Sequence, residues 1–214
     1  DAYYLRACTL LKESNYESTL ADFEKAFSLA TDNLELVTSA YEEMQAAGFA
    51  EEGKTYIQNF MDQQDKKLTD SQKGILYYYL EDYANARIYL DGALNGTDAK
   101  VSLMLGQTYE KLGDNNYAAS VYSNFLSTTP DAQIYNQLGL CNLKTGDYEA
   151  ALNAFQSGLA IEGNQLMQVL SFNEIVAYEY LGDFKQATVL MQKYLSTYPD
   201  DEKALREYEF LQTR

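Results

Sequence analysis

A short sequence of the form Gly-Asp-aromatic is complete at two places in the chain, and weaker copies of it occur at nearly constant intervals. Its clearest copy is Gly146-Asp147-Tyr148, which a helical pattern of apolar residues follows. Equivalent positions of the aromatic residue are Tyr16, Ala50, Tyr83, Asn115, Tyr148 and Phe184, at intervals of 34, 33, 32, 33 and 36 residues. A period of this length indicates one supersecondary unit that is repeated, with neighbouring units burying a shared core.

Small and large residues recur at matching places within the period. Glycines and alanines mark the expected close approach of two helices, and the larger residues are expected to fill the space between one unit and the next. The small residues are Gly74, Gly106, Gly139, Ala86, Ala118 and Ala151, and the large ones are Phe23, Leu90, Tyr122, Phe155 and Met191. A second set of glycines is predicted to end the first helices in a left-handed conformation. These are Gly48, Gly113, Gly146 and Gly182.

The pattern predicts an all-α chain of six helical hairpins in one domain, residues 1–214. The predicted hairpins occupy roughly residues 1–33, 34–66, 67–98, 99–131, 132–167 and 168–199. Residues 200–214 predict one more amphipathic helix, whose charged outer face is typical of an element that caps a solenoid.

The sequence resembles the tetratricopeptide repeat (TPR) family over essentially its full length. The family pattern is W-x2-L-G-x2-Y, then A-x3-F, then P. Its best copy here has Tyr135, Leu138, Gly139, Ala151 and Phe155, although Asn142 stands where a tyrosine is usual. The resemblance implies a right-handed α-solenoid. Helical-hairpin repeats of the Sel1 or HEAT type, the alternative, need different periods and a different placement of glycine.

In this family the first helices line the concave face of the solenoid. The resemblance therefore implies a groove that binds a protein or peptide of unknown identity. Its candidate residues here are Tyr4, Ile75, Tyr78, Tyr79, Leu103, Gln107, Asn136, Leu140, Phe172, Val176 and Tyr180. Three alternatives remain open: several of these side chains complete the packing between helices, the C-terminal helix fills the groove, or another subunit does.

One TPR subclass binds the acidic C-terminus of heat-shock chaperones with lysine, asparagine and arginine side chains. The corresponding positions here are Tyr4, Cys8, Ser39, Leu68 and Gln72. A carboxylate needs fixed cationic donors, and this set contains none. The sequence therefore argues against that ligand.

The charge of the chain bears on the class of partner. Its 16 Lys and Arg against 32 Asp and Glu give a net charge of −16. Nucleic-acid binding requires basic patches, so we expect no nucleic-acid partner. The simpler interpretation of the net negative charge is that it keeps the protein soluble. The more specific interpretation is that it attracts a basic partner. No apolar run reaches the roughly 18–20 residues that span a bilayer.

The sequence offers little for catalysis. It has no histidine, the commonest general base and metal ligand, and no phosphate-binding loop or nucleophile elbow. We expect no enzyme activity, no cofactor and no metal site. Cys8 and Cys141 fall in the first and fifth hairpins, and helices that pack ~8–10 Å apart would hold them beyond the ~7 Å Cα separation of a disulfide.

Two expectations concern the context of the chain. Its tyrosine-rich, acidic repeats resemble the mature part of exported bacterial lipoproteins, which implies export or anchoring at the cell surface of a bacterium; the cytoplasm is the alternative. The first hairpin begins almost at Tyr3, with no capping segment before it in this sequence. A homo-oligomer that packs through the groove or a terminal face is therefore the second functional hypothesis.

Overall fold

The computed structural model describes residues 2–13 and 15–214. Within these ranges the chain forms thirteen α-helices and one 3₁₀ turn, Asp65–Lys67, and no strand. The all-α prediction is confirmed. The helices divide between two compact units, Asp1–Leu94 and Asn95–Arg214, called unit 1 and unit 2 below.

Each unit consists of three helical hairpins, and unit 2 ends with one further helix. In unit 1 the hairpins are α1 (Ala2–Lys12) with α2 (Tyr16–Leu29), α3 (Leu34–Ala46) with α4 (Ala50–Gln64), and α5 (Asp70–Tyr79) with α6 (Tyr83–Ala93). In unit 2 they are α7 (Ala99–Lys111) with α8 (Asn115–Leu126), α9 (Ala132–Thr145) with α10 (Tyr148–Leu159), and α11 (Met167–Tyr180) with α12 (Phe184–Thr197), followed by α13 (Glu202–Leu211). Odd numbers denote the first helix of a hairpin and even numbers the second.

The recurring Gly-Asp-aromatic sequence forms the turn inside the hairpin. The six aromatic or equivalent positions are the first residues of the six second helices. In the clearest copy, Gly146 ends α9 with a φ of 83°, and the Asp147 carboxylate accepts the backbone N–H of Ala150 and caps α10. The other three predicted turn glycines also have left-handed φ values. Glu81 occupies the same place in the third hairpin with a φ of 61°.

Close helix contact inside the hairpins confirms the role of the buried glycines. A methyl group built on Gly106 would lie 2.1 Å from the Tyr122 ring, and one on Gly139 would lie 2.3 Å from the Phe155 ring. The expectation for the large residues needs correction, because each ring lies against the glycine of its own hairpin. Phe155 also reaches the next hairpin, where it packs in one cluster with Leu170.

The second hairpin achieves the same packing with the sizes reversed. Here Tyr41 occupies the glycine position of the first helix and is buried. Gly53 stands opposite, at the place where the later second helices carry alanine, and a methyl group there would lie 2.9 Å from the Tyr41 ring. Because the two changes compensate in volume, the hairpin keeps a filled core although its sequence matches the repeat poorly.

The C-terminal helix α13 packs on α12, as the sequence predicts. Ala204 and Leu211 are buried in one cluster with Met191. The Asp201 carboxylate accepts the backbone N–H of Ala204 and the Tyr194 hydroxyl at 2.6 Å. This single side chain therefore caps α13 and ties it to α12.

Candidate functional site

The first helices form one layer in each unit. Helix α1 packs on α3 and α3 on α5 in unit 1, and α7 packs on α9 in unit 2. All eleven candidate residues lie on helices of this layer, in α1, α5, α7, α9 and α11. We call their exposed portions the unit-1 face, which holds Tyr4, Tyr78 and Tyr79, and the unit-2 face, which holds Leu103, Gln107, Leu140, Val176 and Tyr180.

Three candidate residues belong to the packing between helices instead. Ile75 is 5% exposed, and Asn136 and Phe172 are each 8% exposed. The Asn136 side-chain oxygen accepts a hydrogen bond from Asn173 at 2.8 Å. The Phe172 ring lies edge-on to that of Tyr194, with ring centres 5.8 Å apart. The side chains of these three residues are therefore packed between helices, which is one of the alternatives that the sequence left open.

The unit-1 face is a cluster of tyrosines. The Tyr79 hydroxyl donates a hydrogen bond to the Glu42 carboxylate of the neighbouring first helix. Its ring centre lies 5.2 Å from that of Tyr41 and 5.9 Å from that of Tyr78. Burial, and then the bonded Glu42, raise the pKa of Tyr79 strongly. Tyr79 is therefore held in a fixed position.

The thiols of the chain have little nucleophilic character. Burial is the main cause that raises the pKa of Cys8, which stands beside Tyr4, and it raises that of Cys141 to about 12. A thiol with a raised pKa holds little of the reactive thiolate. Both cysteines are free of disulfide bonds.

One ion pair joins α7 and α9, the helices that carry part of the unit-2 face. The Lys144 ammonium lies 2.7 Å from the Glu110 carboxylate, which also accepts the Tyr122 hydroxyl at 2.8 Å. The Glu110 side chain is only 12% exposed. Glu110 and Lys144 are one repeat apart in the sequence, so the period itself could have predicted their pairing. The charge of this part of the face is therefore balanced and largely covered.

The exposed remainder of the unit-2 face is apolar or amide-bearing. Leu103, Gln107, Leu140 and Val176 are half-buried, and Tyr180 is 57% exposed. The Tyr180 ring stacks on Tyr148, with ring centres 4.9 Å apart. Stacking fixes the orientation of an exposed aromatic ring, which then presents an apolar surface beside a hydroxyl.

An acidic pair joins α11 to the C-terminal helix. Burial of Glu179, and then the charge of Glu207 on α13, raise the pKa of Glu179 to about 7. One carboxylate oxygen of Glu179 is buried without a hydrogen-bond partner among the described residues. The pair therefore makes the stability of this end of unit 2 depend on pH.

Two searches of residues 2–13 and 15–214 bear on metal ions and membranes. They contain no group of three or more cysteine, aspartate or glutamate side chains placed to hold a metal ion. No helix in the same ranges has the length and apolar character required to cross a membrane.

Models of the tetratricopeptide repeat match three parts of the chain, residues 1–33, 103–165 and 172–201. Together these matches span more than half of the chain. One curated protein, the human protein O-mannosyl-transferase TMTC1, is 32% identical over 83 residues. That match takes in 39% of this chain but only 9% of the human protein.

Solved structures resemble the chain over larger portions. A structure of MamA from AMB-1 is 25% identical, with 66% of this chain and 84% of that chain covered and a TM-score of 0.54. TTC0263, a TPR protein of Thermus thermophilus, is 15% identical, with coverage of 85% and 100% and a TM-score of 0.63. YrrB, described as a TPR protein with an unusual peptide-binding site, is 20% identical, with coverage of 87% and 97% and a TM-score of 0.58.

Proposed function

We propose that this chain, which belongs to the tetratricopeptide repeat family, is a protein-interaction module that holds a peptide segment of a partner against its first helices. Family membership and the all-helical scaffold support protein interaction as the function. The proposal adds two more specific statements, namely that the partner binds to the first helices and that the bound part of it is a peptide segment.

The observation that carries the proposal is the chemistry of the unit-2 face. Pairing with Lys144 balances the charge of Glu110, while Tyr180 and Val176 keep apolar surface open to solvent. A face of this kind gains free energy when it buries apolar side chains of a partner. The Gln107 amide, which is half-buried, can donate to or accept from a peptide backbone.

We propose further that the chain is not itself catalytic. The pKa values of both thiols are raised, which disfavours nucleophilic chemistry. Similarity to the human O-mannosyl-transferase involves only 9% of that protein, so it does not favour a transferase activity for this chain. An interaction role needs no cofactor.

Affinity capture with matched variants tests the proposal. Val176→Ser with Tyr180→Ala removes apolar surface from the unit-2 face, and Val189→Ser changes an exposed residue of α12. Used as bait in lysate of the source cells, the double variant is expected to lose partners that both the wild type and Val189→Ser retain. Tyr78→Ala tests the unit-1 face in the same way. Equal recovery of partners by every bait would refute a binding role for the first helices.

Self-association is the second candidate function, and the outer side of α1 favours it. Leu5 is 64% exposed and Tyr3 is 36% exposed on this helix. They flank Arg6, whose guanidinium pairs with Asp22. Light scattering over a range of concentrations, with Leu5→Ser as the variant, tests the candidate. A strict monomer at every concentration would contradict it.

We also keep export to a bacterial cell surface as a proposal for localisation, with the cytoplasm as the alternative. It rests on the resemblance to exported lipoproteins described above. The N-terminal sequence of the full-length gene product tests it. A hydrophobic segment followed by a cysteine is the expected result, and a gene product without one would favour the cytoplasm.

A further inference from the structure

A cleft opens between two second helices of unit 1, on elements other than those of the unit-1 face. Its volume is about 330 Å³. The walls are Phe27 of α2 with Tyr56 and Phe60 of α4, and Val37 forms the floor. Phe27 and Tyr56 contact one another, with ring centres 4.9 Å apart. We call this the α2/α4 cleft.

The same cleft recurs at the corresponding place in unit 2. A cleft of about 280 Å³ is lined there by Leu159 of α10 and by Leu190 and Tyr194 of α12. Leu159 has the repeat position of Phe27, and Leu190 and Tyr194 have those of Tyr56 and Phe60. Two clefts at one repeat position indicate a feature of the scaffold.

A different hairpin boundary has other residues at two of these positions. The position of Val37 is taken by Tyr135 in α9. Its Cβ lies 3.2 Å from a methyl group built on Gly158 of α10. Gly158 has the repeat position of Phe60, so at this boundary the large residue is on the first helix and the small one on the second.

Charge distinguishes the α2/α4 cleft from its counterpart in unit 2. Glu24 lines it, and this carboxylate, after burial, helps to raise the pKa of Tyr56 to about 12. The counterpart has Lys193 at its rim together with Glu174. Glu24 is the charged residue among those that line the α2/α4 cleft.

The lysines of α2 and α4 are not part of the lining of the α2/α4 cleft. Neither Lys25 nor Lys54 is among the residues that line it, and Lys54 is shared between Glu51 and Glu81. The charge of the lining therefore comes from Glu24, whereas the walls and floor are apolar and aromatic.

We propose that the α2/α4 cleft is a second docking site, which takes an aromatic or branched aliphatic side chain from a basic peptide segment of a partner protein. The apolar side chain packs against the rings of Phe27, Tyr56 and Phe60 that line the cleft, and lysine or arginine residues beside it face Glu24. Such a segment matches both the apolar interior and the sign of the rim. An acidic segment would be repelled by Glu24, and a purely polar segment would not fill the apolar interior.

Fluorescence anisotropy with defined peptides tests the proposal. The probe is a fluorescein-labelled peptide, Lys-Lys-Phe-Lys-Lys-Leu-Lys-Lys, and its controls replace every lysine by glutamate, or the phenylalanine and leucine by alanine. Asn59→Trp and Ser28→Trp are meant to plug the cleft from its two sides, because both residues are exposed and line it. Circular dichroism verifies that each variant folds.

Matched substitutions separate docking in the cleft from a general attraction to an acidic protein. Glu24→Lys and Glu17→Lys change the net charge equally on the same helix, and Glu17 is not among the residues that line the cleft. Lys193→Trp places the bulky residue at the position of Asn59 in the counterpart cleft.

Either plug is expected to weaken binding of the lysine peptide about tenfold or more, as loss of a buried anchor does. Lys193→Trp should leave the affinity within about twofold, and Glu24→Lys should weaken it about threefold more than Glu17→Lys. The glutamate and alanine peptides should bind at least about tenfold more weakly. The proposal is overturned if the lysine peptide does not bind, if both plugs leave its affinity unchanged, or if Glu17→Lys acts as strongly as Glu24→Lys. These readouts involve no residue of the first-helix faces, so they are independent of the proposed function.

Discussion

Replacing Gly106 by alanine should destabilise unit 2 by forcing α7 away from α8. The added methyl group would lie 2.1 Å from Cε1 of Tyr122 and 2.3 Å from Cζ. The Tyr122 ring is completely buried, and its hydroxyl donates to Glu110 at 2.8 Å. The ring cannot move aside without giving up this bond or pushing its neighbours.

The size of the effect follows from these contacts. Carbon atoms pack about 3.5–4.0 Å apart, so the ring or the helix must shift by more than about 1 Å. Overpacking a core costs about 1–3 kcal/mol, and loss of a hydrogen bond to a carboxylate costs about 1.5–3 kcal/mol. The better helix propensity of alanine offsets about 0.5–1 kcal/mol of this destabilisation. The free energy of unfolding should therefore fall by about 2–5 kcal/mol.

Urea unfolding followed by circular dichroism measures this loss, and a double-mutant cycle assigns it to the ring. In a Tyr122→Ala background the methyl group has room, so Gly106→Ala should there be neutral or slightly stabilising. Gly92→Ala is the control, because a methyl group on Gly92 meets no atom within 4 Å. A Gly106→Ala protein as stable as the wild type, or an equal loss in both backgrounds, would refute the packing argument.

Three further predictions concern a turn, a helix cap and a buried acid. Gly146→Ala should cost about 1–2 kcal/mol, because its φ of 83° is left-handed, whereas Gly92→Ala should stabilise; urea unfolding compares the two. Asp147→Ala should cost about 1 kcal/mol, since it removes the cap of α10; thermal unfolding measures this, with Asp147→Asn retaining the cap. The pKa of Glu179 is raised to about 7 by burial and then by Glu207. The folded chain therefore holds a proton that the unfolded chain releases, so lowering the pH from about 8 to 6 should raise the melting temperature of the wild type relative to Glu179→Gln.

Each of these predictions has an outcome that contradicts it. Equal changes for Gly146→Ala and Gly92→Ala would show that the left-handed turn carries no strain penalty. If Asp147→Ala unfolds at the temperature of Asp147→Asn, the cap contributes nothing. Melting temperatures of wild type and Glu179→Gln that change in parallel with pH would show that Glu179 titrates like an exposed acid.

The sequence predicts the helical scaffold because local chemistry determines it. Glycine in a left-handed turn leaves a recognisable pattern, as at Gly146, and so does a glycine that faces a large residue in the opposite helix, as at Gly106. The second hairpin shows the limit of this reasoning. Tyr41 and Gly53 each depart from the repeat pattern, but together they preserve its packing. Their contact is visible only in the structure.

The candidate site is less predictable, because a position on a helix does not give the depth of a side chain. Helical phase alone predicts that Ile75, Asn136 and Phe172 face a binding groove, whereas all three side chains are buried. The α2/α4 cleft has no local sequence pattern either. It is formed by side chains of α2, α3 and α4 that meet only in the folded chain.

Photocrosslinking at two positions tests the central claim most directly. Tyr180, on the unit-2 face, and Val189, on α12, are both more than half exposed, at 57% and 53%. Each is replaced in turn by p-benzoylphenylalanine, and the protein is irradiated in its source cells. A first-helix binding face predicts that a partner protein is crosslinked to position 180 and not to position 189. Crosslinks at position 189 alone, or equal crosslinks at both, would contradict it.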